Sequence, residues 1–449
     1  MKKLFGTDGI RGKVNTYPIT PETFLHLGKA VASYYKSQHL DTRPLIVIGK
    51  DTRLSGYMLE NALTSGILSM GMNILAVGPL PTPAIARLIK SYNGTCGIMI
   101  TASHNNYINN GIKLFGPNGY KLSDNAELQI EKIVFDKTIN KPHTNTAQIG
   151  KAYRIDDAKG RYIEFAKSSI KSQSLKGLKI VLDCANGAGY SVAPMIFKEL
   201  GADIIKTSCE PDGFNINKNC GSMYPHNISN LIQLHRADVG ICLDGDADRL
   251  VILDSKGAVI SGDRVLAMCA MDYRDRGKLA KNTLITTVMS NIGLTKAMTE
   301  KGINVETTDV GDHFVIRRMR EGGFNLGGEQ CGHIIFMDYV TTGDGIISAL
   351  HILSMIKRKQ KNISELANCI EEYPQILKNI SIEKKIPINE IPELQKTIKK
   401  CERIMGEDGR VLVRYSGTEN VLRIMVEAKK HAMAKDNIEK IVKTANQIL

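Results

Sequence analysis

The sequence predicts an α/β protein of three or four domains, and three observations carry that prediction. At 449 residues the chain exceeds what one core organises, on ~100–200 residues per domain. Short β-branched runs alternate with amphipathic stretches through three successive rounds, as parallel strands joined by crossover helices do. Near Glu371 the rhythm changes, and the remainder reads as a small α+β domain.

In the first round, LIVIGKD near 45–51 reads as a strand, about Tyr57 to Met70 as a helix, NILAVG near 73–78 as a strand, and PTPAIARLIK as a helix opened by Pro83. Gly97–Ile100 then has the length and composition of a buried strand. Residues 124–157 carry little pattern after an amphipathic stretch, so they lead into a boundary. The second round begins at LKIVLDCANGAG, residues 178–189, where a strand meets a Gly-rich turn and a helix through Leu200. ADIIKTS follows as a strand, NISNLIQLHRA as a helix, and DVGICLDGDADR as a strand with its loop. The third round runs from RVLAMCAMDYRDRG through TLITTVMSN, IGLTKAMTEKG, INVETTDVG and HFVIRRMREGG to NLGGEQCGHIIF and a helix through SALHILSMIKRK. The tail offers a helix near 391–405, strands RVLVRYS and LRIMVEA, and a last helix from about Ala434.

Apolar content of 43% with 23% charged residues is ordinary for a soluble globular protein. Met1 runs almost directly into GTDGIRG, with no signal-like segment and no long apolar span, which points to the cytoplasm and away from a membrane. The nine cysteines form no C-x-x-C pair and several sit in apolar runs, so they are expected reduced and without zinc. The net charge of +13 suits an anionic partner. Its densest cluster, Lys357 to Lys361, follows a helix, where cations favour the negative end of the dipole. No interleaved aromatic platform accompanies it, which argues against nucleic acid.

The stretch from 94 to 121, GTCGIMITASHNNYINNGIKLFGPNGYK, organises the rest. It delivers Ser103 and His104 into a polar turn just past a strand's carboxyl end, where open parallel sheets bind ligands. A serine there is also an ordinary turn residue, so the other loops decide. Arg11 in GTDGIRG lies between glycines that allow a tight turn bringing backbone and guanidinium close to a ligand, or that make a plain glycine-rich turn. Asp244, Asp246 and Asp248 alternate after the run VGICL, and their mutual repulsion calls for a hard cation such as Mg²⁺. A calcium-loop reading fails, because the sixth position is Arg249 rather than Gly and the twelfth is Ser255 rather than Glu. Arg414-Tyr-Ser416-Gly417-Thr418 offers a guanidinium, hydroxyls and turn amides suited to a phosphate, or a plain polar turn between strands. Glu329, Gln330, Cys331 and His333 in GGEQCGH suit the hydroxyl or amine groups of a sugar, although such a histidine also serves as a structural hydrogen-bonder.

Taken together, GTDGIRG, TASHNNYINNGIK, DGDADR, GGEQCGH and RYSGTE stand in the order and spacing of the α-D-phosphohexomutases, and the whole chain resembles that family. Gln330 after Glu329 is similar to its glucosamine-specific members. The resemblance implies three related α/β domains with mixed, mainly parallel sheets plus a smaller C-terminal α+β domain, four domains around a central cleft. Their expected bounds are 1–157 for the phosphoserine domain, 158–257 for metal, 258–370 for sugar and 371–449 for phosphate. It further implies that Ser103 is the phosphoserine and a metal ligand, and that Asp244, Asp246 and Asp248 hold Mg²⁺ against it. Lys113 and Arg249 would flank the transferring group, with Lys113 or His104 as general acid or base. Arg11, Glu329, Cys331 and His333 would contact the substrate, and Arg414, Ser416, Gly417 and Thr418 would grip the phosphate that is not reacting. The implied reaction interconverts glucosamine 6-phosphate and glucosamine 1-phosphate, primed by hexose or glucosamine 1,6-bisphosphate and feeding UDP-N-acetylglucosamine synthesis. The partner is a small phosphosugar, not nucleic acid or membrane, and a homodimer is allowed. Rival readings are phosphomannomutase or phosphoglucomutase activity, and a catalytically silent sugar-phosphate sensor. The chain departs from the family's usual pattern at Asn106, His313, Cys331, Tyr415 and Asn420.

Overall fold

The structure is a computed structural model that describes residues 3–6, 8–38, 44–140, 146–416 and 420–448. The alternating runs form four sheets. In the first the strands lie in the order Ile10–Lys13, Asn109–Phe115, Cys96–Ile100, Leu45–Lys50, Asn73–Pro79 and Ala152–Arg154. Its last three pairings are parallel and its first two antiparallel. The second sheet repeats the plan with Val259–Ile260, Leu250–Leu253, Val239–Leu243, Lys179–Asp183 and Asp203–Thr207, again parallel in the half that is joined by helices. A third sheet orders Asn304–Thr308, Thr283–Thr287, Leu326–Gly328 and Ile334–Phe336. The fourth is antiparallel, with Val421–Ala428 between Gln375–Ser381 and Gly409–Tyr415. The mixed α/β plan with an α+β tail is therefore the observed one. Two compact units result, Met1–Val288 with Glu306–Ala367, and Met289–Val305 with Asn368–Leu449. Among the described residues no helix is long and apolar enough to cross a membrane.

Strands Leu45–Lys50, Cys96–Ile100 and Val239–Leu243 are buried along nearly their whole length, which is why they read as unbroken apolar runs. Helix starts follow side-chain capping: Thr20 accepts from the Thr23 amide before Pro21–Ser37, and Ser123 from the Ala126 amide before Asp124–Val134. Asp344 accepts from the Ile346 and Ile347 amides at the start of Gly345–Lys359. That helix ends on the basic cluster. There Arg358 bonds Asp272 at 2.6 Å, Lys359 bonds Asp275 at 3.1 Å, and Lys357 donates to the Lys176 carbonyl at 2.9 Å.

Several elements differ from the sequence reading, among them Ile10–Lys13, a strand where the glycines around Arg11 suggest a turn. The Asn- and Gly-rich segment after Ser103 turns for only a few residues and then forms the buried strand Asn109–Phe115. Asn110 is fully buried there because its amide donates to Ser55 Oγ at 2.9 Å and its Oδ1 accepts from the Gly111 amide at 2.8 Å. The helix Pro21–Ser37, which the sequence reading does not assign although its apolar residues recur at helical spacing, packs Phe24, Leu27 and Val31 into the first core.

Candidate active site

Strand Cys96–Ile100 ends just before Ser103, whose backbone adopts the left-handed conformation with φ 49°. Its amide donates to Thr101 Oγ1 at 2.9 Å, and its Oγ donates to Asp244 Oδ2 at 2.7 Å. Asp244 follows strand Val239–Leu243, so two strand ends from different sheets meet at this bond. Asp244, Asp246 and Asp248 are all buried and offer ligand oxygens within 4.8 Å of one another. Asp246 Oδ2 accepts from Thr82 Oγ1 at 2.6 Å. Asp246 Oδ1 and Asp248 Oδ1 have no donor within hydrogen-bonding distance, though they are buried. Burying ionised oxygens without such a donor is costly. Three convergent carboxylates with spare oxygens fit a hard divalent cation.

Lys113 comes from strand Asn109–Phe115, opposite Met99. Its Nζ lies 3.0 Å from Asp246 Oδ2, 2.9 Å from Asp248 Oδ2 and 3.4 Å from Asp8 Oδ2. Burial opposes its charge, yet Asp246, Asp248 and Asp8 together raise its pKa well above the ordinary lysine value. Burial raises the Asp244 carboxyl, and the charges of Asp248 and Asp246 push it further. Asp248 falls well below the usual range because Lys113, His333 and Arg249 outweigh its burial. The positive charge already at hand thus ionises Asp248 and leaves Asp244 short of a cation.

Arg249 donates its amide to Asp244 Oδ1 at 3.2 Å and sets its Nε 4.0 Å from Asp248 Oδ1. His104 Nδ1 lies 3.4 Å from Ser103 Oγ. Burial, then Arg249 and Arg11, lower the His104 pKa to about 4, so the imidazole is neutral at neutral pH. Arg11 pairs with Asp8, which links it to Lys113.

The GGEQCGH segment forms a tight connection in the third sheet, joining strand Leu326–Gly328 to its antiparallel neighbour Ile334–Phe336. Glu329 Oε1 accepts from the Gly311 amide at 3.1 Å, and burial raises its pKa. Cys331 Sγ lies 4.0 Å from Glu329 Oε2. His333 Nδ1 lies 3.7 Å from Asp248 Oδ1, while its Nε2 accepts from the Gly343 amide at 3.0 Å. Against its burial, Asp248, Asp312 and Glu329 favour a second proton on His333 and raise its pKa to about 9. That proton would face the Gly343 N–H, so the geometry favours the neutral ring with its hydrogen on Nδ1.

Ser103, His104, Lys113, Arg249, the three aspartates and His333 therefore form one connected cluster, with Arg11 and Glu329 at its margin. Arg414 lies on strand Gly409–Tyr415 of the second unit, and Ser416 follows it. The Ser416 carbonyl accepts from Lys385 Nζ at 2.6 Å. Gly417 and Thr418 lie outside the described residues. Sequence reasoning does not reach Asp8 or Thr82. Asp8 is visible in GTDGIRG, but its partner Lys113 is not. Thr82, just before Pro83 at the start of its helix, draws no notice until a loop 164 positions away closes on it.

Four family models for phosphoglucomutase/phosphomannomutase match the chain: domain I over residues 2–141, domain II over 160–257, domain III over 261–373 and the C-terminal domain over 377–444. Among curated relatives, phosphoglucosamine mutase of Syntrophotalea carbinolica is 51% identical over 432 residues, covering 96% of this chain and 94% of the relative. That of Pelobacter propionicus is 52% identical over 430 residues, covering 96% and 95%. A phosphoglucomutase/phosphomannomutase family protein of Burkholderia thailandensis has a similar fold, with TM-score 0.82 at 23% identity over 99% of this chain and 97% of that one. Aspergillus fumigatus N-acetylphosphoglucosamine mutase, solved with GlcNAc-6P and magnesium, gives TM-score 0.69 at 18% identity over 100% and 96%.

Proposed function

Because the chain belongs to the phosphoglucomutase/phosphomannomutase family, we infer that it works as a phosphoglucosamine mutase, interconverting glucosamine 6-phosphate and glucosamine 1-phosphate. The observation that carries the site assignment is the 2.7 Å bond from Ser103 Oγ to Asp244, one of three buried carboxylates gathered within 4.8 Å.

Ser103, carrying a phosphoryl group, gives it to the 1-hydroxyl of glucosamine 6-phosphate: the Oγ–P bond breaks as the O1–P bond forms. The resulting 1,6-bisphosphate turns over and returns its 6-phosphoryl group to Ser103, releasing glucosamine 1-phosphate. His104, neutral and 3.4 Å from Oγ, is placed to take the attacking hydroxyl's proton and hand it to the departing oxygen in each transfer: from the 1-hydroxyl to Ser103 Oγ in the first, and from the Ser103 hydroxyl to the 6-oxygen in the second. Lys113 holds its own proton too firmly for that exchange and serves as fixed positive charge. Asp244, Asp246 and Asp248 would hold Mg²⁺. When bound, the ion supplies positive charge against a phosphoserine of about −1.5 to −2. Glu329, Cys331, His333 and Arg11 would orient the sugar, and the Arg414–Thr418 segment would grip the phosphate that is not reacting. A bisphosphate primer, a cytoplasmic setting, a phosphosugar rather than nucleic acid as ligand, a homodimeric assembly and supply of UDP-N-acetylglucosamine synthesis belong to the same proposal.

The test is turnover of glucosamine 6-phosphate with Mg²⁺ and a bisphosphate primer, compared with glucose and mannose phosphates, for the unmodified protein and Ser103→Ala. Preference for the amino sugar and loss of turnover in the variant are expected. Equal turnover by Ser103→Ala, or absence of phosphoserine after priming, would overturn the reading.

A further inference from the structure

We propose that Arg53 and Asn217 are positioning residues that clamp the main chain of the Ser103 turn and so aim its hydroxyl. The proposal rests on the enzymatic role assigned to Ser103 above. Arg53 is fully buried in the segment after strand Leu45–Lys50 and pairs with Asp51. Its Nη2 donates to the carbonyls of Ser103, at 3.2 Å, and Asn105. Asn217 reaches the same two carbonyls from a loop 114 positions beyond Ser103, its Nδ2 lying 2.8 Å from each. Each carbonyl thus receives two donors, the full capacity of its lone pairs.

Ser103 needs such holding because it is left-handed, with φ 49°, a conformation that costs energy for a residue with a Cβ and persists only when its surroundings over-determine it. Released, the turn would relax and carry Oγ away from Asp244. Charge fits the same role. The Arg53 guanidinium is balanced by Asp51, so the pair orients carbonyls behind the hydroxyl without adding net charge beside the transferring group. Asn217 is itself left-handed, with φ 56°, so glycine replaces it without backbone strain while deleting the amide donor.

The experiment compares the unmodified protein with Asn217→Gly and Arg53→Lys, which keeps the charge and loses the fork. Three readouts are taken: amide hydrogen exchange across 101–108 in the resting protein, single-turnover phosphoryl transfer from glucose 1,6-bisphosphate to Ser103, and KM. We expect faster exchange and transfer slowed by ~10²-fold, with KM and the melting midpoint little changed. Wild-type exchange and transfer in Asn217→Gly would overturn the proposal, and that variant decides alone if Arg53→Lys does not fold. A lowered melting midpoint with normal transfer would also overturn it, since the residues would then serve stability only. Faster exchange in the variants while the unmodified protein takes up no phosphate would sink the enzymatic reading and leave the clamp standing.

Discussion

Gly245 stands between two of the aspartates, and Gly245→Ala tests how closely the metal loop and the serine turn must approach. A Cβ there would lie 2.5 Å from the Ser103 carbonyl oxygen, 2.6 Å from Asn217 Nδ2 and 3.0 Å from Ile216 Cδ1. Ordinary contact begins at 3.4 Å, so the Ser103 carbonyl must retreat by 0.9 Å, the difference between 3.4 and 2.5 Å. A reacting group displaced by ~1 Å loses ~10²-fold in rate, or about 3 kcal/mol of transition-state stabilisation. Overpacking also costs ~1–3 kcal/mol of stability, so specific activity must be measured on protein shown to be folded by thermal melting. The assay is kcat for glucosamine 6-phosphate at saturating magnesium and primer. A folded Gly245→Ala protein with wild-type kcat would show that the close approach of these loops is irrelevant to transfer.

Three further outcomes are expected. Exhaustive chelation should lower kcat by ~10²–10³-fold and added Mg²⁺ should restore it, because one unit charge pair at ~4 Å is worth about 4 kcal/mol at an effective dielectric near 20; activity that survives chelation contradicts the metal assignment. Burial raises the Asp344 pKa from 3.8 to about 6, so its protonated form favours the fold. Its contribution of ~3 kcal/mol is present below pH ~4 and lost as pH rises through 6, and urea melts of Asp344→Asn should lack that slope. Cys331→Ser should improve kcat/KM for the amino sugar by up to ~10-fold, since a hydroxyl is a stronger donor than a thiol; an unchanged value removes residue 331 from sugar contact.

The strands that announce themselves in the sequence, such as Leu45–Lys50 and Val239–Leu243, are those buried on both faces, where apolar residues leave no alternation to misread. Strand Asn109–Phe115 is hidden because its buried polar members, Asn110 and Lys113, are satisfied by Ser55 and by aspartates more than a hundred positions away. Gln375–Ser381 escapes notice for the opposite reason: it is mostly exposed, and pairing with Val421–Ala428 fixes it. At the site, the aspartates are legible because alternate residues at a strand end gather there. Asp8, Thr82, Arg53 and Asn217 are not, since each acquires meaning only from a partner brought in by the fold.

In the bare enzyme, Ser103 lends its hydroxyl hydrogen to Asp244 across 2.7 Å. Esterification of Ser103, as proposed above, would remove that hydrogen and leave two electron-rich oxygens facing each other. That loaded form would need a cation more than the bare form does, and by reciprocity an ion preferring the loaded form would also preserve it. Magnesium supply would then act as a rheostat on how many molecules stand primed.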